Sequence, residues 1–217
     1  MLSYTCAIFD LDGTVLDSMY VWEKIDYEFL SKRGFDVPQN YCEIIAPMGF
    51  YKAAEYTIER FGLSERPEDL IEEWNSLALS EYENNITLKP NVKEYLSFLK
   101  QHQIKTGVAT SSHKTLFERA LRKNGVYDYF DVICTTDQVK RGKGYPDIYL
   151  YTAEKLGAEP CNCVVFEDIL AGIVGAKAAG MFAVAIEEKA SFPDKEKLIQ
   201  LSDRYISDFA DMMKEHR

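Results

Sequence analysis

The chain has 217 residues, 35 acidic against 25 basic side chains and a formal charge of −10, with 47% hydrophobic and 13% aromatic residues. At roughly 150 residues per domain this suits one large domain or one domain with an insert, and the composition excludes a wholly disordered chain. The acidic balance argues against nucleic-acid and membrane-surface partners, which need basic patches, and no apolar run approaches the roughly 18 residues of a membrane span.

The start, Met1 to Cys6, runs straight into a short apolar stretch without the basic residues and longer apolar core of a signal peptide. Five scattered cysteines (Cys6, Cys42, Cys134, Cys161, Cys163) fit reduced thiols in a cytoplasmic protein. Cys161 and Cys163 have no second Cys or His pair at zinc spacing, so zinc is not expected.

In chain order, strand-length apolar runs lie at Thr5–Phe9, Thr106–Ala109, Val132–Cys134, Cys163–Phe166 and Met181–Ile186. Most are followed by a helix-like segment, as at Thr115 to Leu121 and Ala171 to Ala179, the latter stopped by Gly180. Alternation of this kind predicts an α/β fold with a doubly wound, mostly parallel sheet. A further edge strand (Arg204–Ile206) and a last helix are expected after Asp203.

From about Ser18 to Tyr82 the pattern is helical only. Asp17 or Ser18 caps a first helix with Trp22, Ile25 and Phe29 on one face and Gly34 beyond its end. A second runs from Phe50 to Phe61, stopped by Gly62, and Pro67 opens a third with Leu70, Trp74 and Leu77 on one face. The expected division is a catalytic core of residues 1–14 and 89–217 around an inserted all-helical cap domain at 15–88, with connectors at Gly13–Asp17 and Asn84–Pro90.

Four features fall where these strands end. The first strand runs into Asp10-Leu11-Asp12-Gly13-Thr14. In open α/β sheets ligands bind at this carboxyl edge. Paired acids there can hold Mg²⁺, or act as nucleophile and proton carrier, although Asp and Gly are also ordinary turn residues. The second apolar strand ends in Thr110-Ser111-Ser112 before a helix, which suits an anion or a plain helix cap. Lys143 lies in a loop after another strand. The strand at 164–166 ends in Glu167-Asp168 with the helix starting at once, where acids also complement the helix dipole. Each has an ordinary explanation singly; together they put acid, hydroxyl, lysine and acid on one sheet edge.

The ordered segments FDLDGT (Phe9–Thr14), VATSS (Val108–Ser112), KGYPDIY (Lys143–Tyr149) and FEDILAGIVGAKAAG (Phe166–Gly180) closely resemble the haloacid dehalogenase (HAD) superfamily over nearly the whole chain. The likeness is greatest to the subgroup of β-phosphoglucomutase and small sugar- or polyol-phosphate phosphatases, whose helical cap follows the first motif. It implies a Rossmann-like core and phosphoryl transfer, with Asp10 as nucleophile and Asp12 as general acid/base. Thr110 and Lys143 would bind the transferring group, and the backbone N–H groups of Leu11, Asp12 and Ser111 would cradle its oxygens. Mg²⁺ would be held by the Asp10 side chain, the Asp12 carbonyl and Asp168, with Glu167 in or near the coordination sphere. A dianionic phosphomonoester repels a carboxylate nucleophile, so a divalent cation and a lysine answer a physical need.

Asp12 separates the family's chemistries: dehalogenases and phosphonoacetaldehyde hydrolases lack this second aspartate, and a Schiff-base role for Lys52 is accordingly disfavoured. The mutases carry a cap histidine about ten residues past it, where Trp22 stands here, and a cap arginine where Met48-Gly49-Phe50-Tyr51-Lys52 offers only a lysine. The expected reaction is hydrolysis of a small sugar- or polyol-phosphate type monoester, with a phosphosugar mutase as the alternative and a receiver-like phospho-acceptor module less favoured by motif order. Tyr20, Trp22, Met48, Phe50 and Tyr51 either line the substrate side of the cap or, for Trp22 and Phe50, fill its core, and Met48 to Lys52 is a candidate specificity loop. His113 either reaches a distal substrate group or is solvated. The expected partner is the small-molecule substrate, with the protein a monomer or weak dimer.

Overall fold

Buried along its whole length, the apolar run Cys6–Phe9 forms strand β1 at the centre of a six-stranded sheet. The computed structural model describes residues 4–45, 48 and 50–214. The other strands are β2 (Leu16–Asp17), β3 (Thr87–Leu88), β4 (Lys105–Thr110), β5 (Val132–Thr135), β6 (Cys163–Glu167), β7 (Phe182–Ile186) and β8 (Arg204–Ile206). The large sheet has the order β5-β4-β1-β6-β7-β8, and every pairing in it is parallel. Near-continuous apolar runs are what a sheet covered on both faces requires, so the doubly wound sheet expected from the sequence is the one observed.

Helices supply that cover. The larger unit carries α5 (Val92–Gln101), α6 (Lys114–Lys123), α7 (Asp147–Leu156), α8 (Leu170–Ala178), α9 (Lys195–Leu201) and α10 (Ala210–Lys214); α1 to α4 belong to the insert described below. Alternation along the strands sends Cys6, Ile8 and Val165 into one apolar core with Tyr149, Ala153, Ile173 and Leu198. Phe9 and Phe166 go to the other face, stacked with centroids 4.8 Å apart, where Tyr95 and Phe209 close around them. Cys6, Cys134 and Cys163 are buried free thiols, Cys42 is half-buried and Cys161 exposed.

After β1 the chain reverses tightly. The Leu11 carbonyl accepts from the amides of Thr14, Val15 and Leu16, and Gly13 turns with φ 85°, a conformation that favours glycine. The chain then enters β2, which pairs antiparallel with β3 through Leu16–Leu88 and Asp17–Thr87. This ribbon belongs to the larger unit, which comprises residues 4–18 and 86–214; the insert is Met19–Asn85. The expected insert of 15–88 therefore included the ribbon. Val15 and Leu16 are fully buried, and the Lys89 amide donates to the Val15 carbonyl at 3.0 Å, which anchors these residues to the core.

The insert is helical: α1 (Tyr20–Lys32), α2 (Tyr41–Ile45), α3 (Phe50–Phe61) and α4 (Pro67–Asn84). Leu70, Trp74 and Ala78 form the buried face of α4, and Arg33 ties α1 to Glu73 at 2.7 Å and Glu65 at 3.0 Å. The buried face of α1 is Val21, Ile25 and Phe29, not one containing Trp22, which is 37% exposed. Neither Asp17 nor Ser18 caps α1: Asp17 lies in β2, the helix starts at Tyr20, and the Ser18 hydroxyl is engaged elsewhere. Among the described residues no helix is long and apolar enough to cross a membrane.

Candidate active site

β1 sits between β4 and β6, so the connections from the two halves of the sheet leave in opposite directions around it. A crevice opens at the carboxyl edge of such a point. Asp10 leaves β1 there, its amide donating to the Phe166 carbonyl at 3.0 Å. Because Phe9 is level with Phe166, Asp10 comes level with Glu167, the last residue of β6. The strand expected over 164–166 extends to Glu167, which still pairs with Ala185 of β7, and the helix expected just after Asp168 follows as α8 from Leu170.

Lys143 reaches into this edge from the loop before α7. Its ammonium contacts Asp10 Oδ1 and lies 2.7 Å from Glu167 Oε1. Asp10, Lys143, Glu167 and Asp168 are all buried. Burial raises the Asp10 carboxyl well above the ordinary range, against the pull of Lys143, and pushes Asp168 up to about 7, with Glu167 adding repulsion. Burial works against the charge of Lys143 too, but Asp10 and Glu167 outweigh it and hold its pKa above the usual value.

Three carboxylates around one ammonium leave a formal charge of −2 when all are ionised. Asp10, Glu167 and Asp168 each direct an oxygen into one region, the three lying within 4.8 Å of one another. Glu167 Oε2 and Asp168 Oδ2 are buried without a hydrogen-bond partner. Buried acceptors in that state are costly, and hard oxygen donors with this charge suit Mg²⁺. The residues present fit a divalent cation.

The remaining expected positions lie at the ends of β1 and β4 and in the segments that follow them. Leu11 is fully buried beneath the turn, and Asp12, half-buried, accepts from the Ser18 hydroxyl at 2.7 Å. Thr110 closes β4 beside β1, its Oγ1 accepting from the Ser112 amide at 3.0 Å, and Ser111 is exposed next to it. His113 caps α6 by accepting from the Thr115 amide at 3.4 Å. Ser111 and His113 border a groove of about 690 Å³ that runs along Phe117, Phe130 and Thr136.

Residues 7–186, which include every charged member of the cluster and the whole helical insert, match the haloacid dehalogenase-like hydrolase family. The chain belongs to that family. A fructose-1-phosphate phosphatase, YqaB, of Escherichia coli K12 is 31% identical over 84% of this chain and 96% of its own length. Hexitol phosphatase B of the same organism is 28% identical over 83% and 82%. A Thermotoga maritima structure provisionally assigned as a beta-phosphoglucomutase superposes with a TM-score of 0.86 at 26% identity, covering 97% of this chain and 98% of that one.

Four residues inside the motifs, Thr14, Tyr149, Gly172 and Gly175, make contacts with this hydrolase's cluster to which the sequence assigned no role. Thr14 Oγ1 donates to Asp168 Oδ1 at 3.3 Å, and the Tyr149 hydroxyl donates to Glu167 Oε1 at 2.8 Å. Gly172 and Gly175 let α8 approach: a Cβ on Gly172 would fall 2.3 Å from Glu167 Cδ, and one on Gly175 2.0 Å from the Lys143 carbonyl. Of the insert residues singled out, Tyr20, Trp22 and Tyr51 are exposed, as is Lys52, and Met48 is half-buried. Trp22 therefore does not fill the insert's core; Gly49 and the Phe50 side chain lie outside the described residues.

Proposed function

We propose that this hydrolase releases phosphate from a small phosphomonoester of the sugar- or polyol-phosphate type through an aspartyl-phosphate on Asp10. The observation that carries this reading is the buried set of Asp10, Lys143, Glu167 and Asp168 at the switch point of the sheet. The likeness to a fructose-1-phosphate and a hexitol phosphatase supports the substrate class.

In this reading Asp10 Oδ attacks phosphorus as the ester P–O bond breaks, and Asp12 gives its proton to the leaving oxygen. Asp12, now a carboxylate, takes a proton from water as that water attacks phosphorus. The P–O bond to Asp10 breaks, and inorganic phosphate and the Asp10 carboxylate are restored. Lys143 offsets the repulsion between Asp10 and the incoming dianion. Thr110 and the N–H groups of Leu11, Asp12 and Ser111 hold the transferring oxygens. Asp10, Asp168 and Glu167, with the Asp12 carbonyl, would hold Mg²⁺, which supplies Lewis-acid stabilisation of phosphoryl charge.

The likeness to a structure assigned to the β-phosphoglucomutases favours a second reading, a phosphosugar mutase. Trp22 at the register where the mutases carry a histidine weighs against it. The deciding experiment is phosphate release from fructose 1-phosphate, a hexitol phosphate, phosphoglycolate and β-glucose 1-phosphate with Mg²⁺, beside an Asp10→Asn control. Mg²⁺-dependent release lost in the control is expected. Conversion of β-glucose 1-phosphate to glucose 6-phosphate without release would establish the mutase instead.

A further inference from the structure

Tyr149 lies fully buried in the core face of the sheet, on the first turn of α7, with its hydroxyl turned to the charged cluster. Packing explains the ring; it does not explain where the oxygen goes. The hydroxyl donates to Glu167 Oε1, the same oxygen that lies 2.7 Å from Lys143 Nζ. Glu167 thus has both donors on one oxygen, and Oε2 stands buried with none. α8 presents Gly172 to the same carboxylate, where a Cβ would fall 2.3 Å from Cδ and 2.5 and 2.6 Å from its two oxygens, so the room around it is set by the helix as well. Gly175, one turn on, is packed against the carbonyl of Lys143 and the ring of Tyr149, so that a Cβ there would come within 2.8 Å of Tyr149 Cε2.

We propose that Tyr149 is a positioning residue: by holding Glu167 Oε1 against Lys143 it turns Oε2 into the region shared with Asp10 and Asp168 and so prepares Glu167 to bind the divalent cation. A carboxylate with no such hydrogen bond would be free to rotate or to offer both oxygens to Lys143. Partners of metal ligands orient them in this manner, and their loss commonly weakens metal binding by about tenfold or more. The inference rests on the Mg²⁺ reading of the site and adds to it a residue that touches neither substrate nor metal.

The test is direct Mg²⁺ binding to the otherwise metal-free protein, followed by titration calorimetry and by the Mg²⁺-induced rise in Tm, for the wild type, Tyr149→Phe, Glu167→Gln and the double variant. Tyr149→Phe keeps the ring and removes only the hydroxyl. Expected are roughly tenfold weaker Mg²⁺ binding in Tyr149→Phe and no further weakening when Tyr149→Phe is added to Glu167→Gln, because the hydroxyl acts through Glu167. Equal Mg²⁺ affinity of wild type and Tyr149→Phe, or a full additive loss in the double variant, would overturn the inference. A wild type that binds no Mg²⁺ would instead remove the metal reading on which it stands. Should Tyr149→Phe fail to fold, Gly172→Ala, whose Cβ would crowd the same carboxylate, is expected to weaken Mg²⁺ binding likewise, and unchanged binding in it would count against the positioned carboxylate.

Discussion

The Ser18 hydroxyl donates to Asp12 Oδ1 at 2.7 Å, so the residue from which the chain departs for the helical insert also orients the proposed acid/base. A proton carrier acts only when its oxygen faces the leaving group, and a hydrogen bond to a charged acceptor is worth about 1.5–3 kcal/mol. Asp12 is half-buried, which favours the lower end. Ser18→Ala is expected to lower kcat about tenfold with little change in KM, and Ser18→Thr to restore most of it. Steady-state kinetics on a good substrate checks this; a kcat within twofold of wild type in Ser18→Ala would mean that Asp12 is oriented by other contacts.

Lys143 neutralises carboxylates that have left water, and breaking a buried ion pair on one side costs about 3–5 kcal/mol because the other charge stays buried. Lys143→Met, measured without Mg²⁺, is expected to lose that order of stability at pH 7.5 and clearly less at pH 5. The sign follows from burial, which raises the folded-state pKa of Asp10 and Asp168 above the unfolded value. Stability from such groups is greatest at low pH, where they are protonated, and falls as pH rises. On the proposed mechanism activity should drop by about a thousandfold or more, since electrostatic stabilisation of the transferring group would be removed with the charge. Equal destabilisation at both pH values, read by urea unfolding, would contradict the assignment.

Gly175 and Gly142 make a controlled pair. Alanine favours a helix over glycine by about 1 kcal/mol, so Gly175→Ala inside α8 would stabilise the protein if propensity ruled. Its Cβ, however, would lie 2.0 Å from the Lys143 carbonyl, and backbone cannot swing aside as a flexible side chain does. Overpacking should dominate, with a net loss of about 2–3 kcal/mol and impaired activity as Lys143 is displaced. Gly142, next to Lys143 in sequence, has nothing within 4 Å of an added Cβ, and Gly142→Ala should change neither quantity measurably. Thermal unfolding and kinetics of both variants decide between propensity and packing.

The strands and their acidic ends were legible because a parallel strand buried on both faces is a continuous apolar run, and the charged residues follow where each run stops. Asp10, Lys143, Glu167 and Asp168 thus came from local pattern and motif order. What was not legible depends on contacts across the fold. A serine between a strand and a helix reads as a cap whether or not, like Ser18, it bonds backward to Asp12. Tyr149 reads as one more core aromatic of α7, since its partner Glu167 lies 18 residues away in another strand. Val21 and Trp22 are both consistent with a helical stripe ending at Ile25 and Phe29, and the larger aromatic is the wrong choice because the buried stripe is 21, 25, 29. The two-residue strands β2 and β3 are too short for any period to register.

Asp26 introduces a pH dependence into the helical insert, away from the charged cluster in the chain. It is 7% exposed on the buried face of α1, and burial pushes its carboxyl up to about 6, with a hydrogen bond from Cys42 pulling down and the charge of Glu23 pushing up. The unfolded chain ionises near 3.9. Between these values the folded state binds the proton more tightly, so the Asp26 contribution is fullest below about pH 4 and is lost as pH rises through about 6, a change on the order of 2–3 kcal/mol. Asp26→Asn imitates the protonated carboxyl at every pH. Its stability relative to wild type should therefore climb between pH 4 and 6 and then level off, ending about 1–2 kcal/mol above wild type at pH 7 once the different hydrogen-bonding of the amide is allowed for. Both tryptophans, Trp22 and Trp74, belong to the insert, so urea unfolding followed by their fluorescence reports this unit. A difference between the two proteins that stays constant from pH 4 to 7 would show that burial does not set the proton affinity of Asp26.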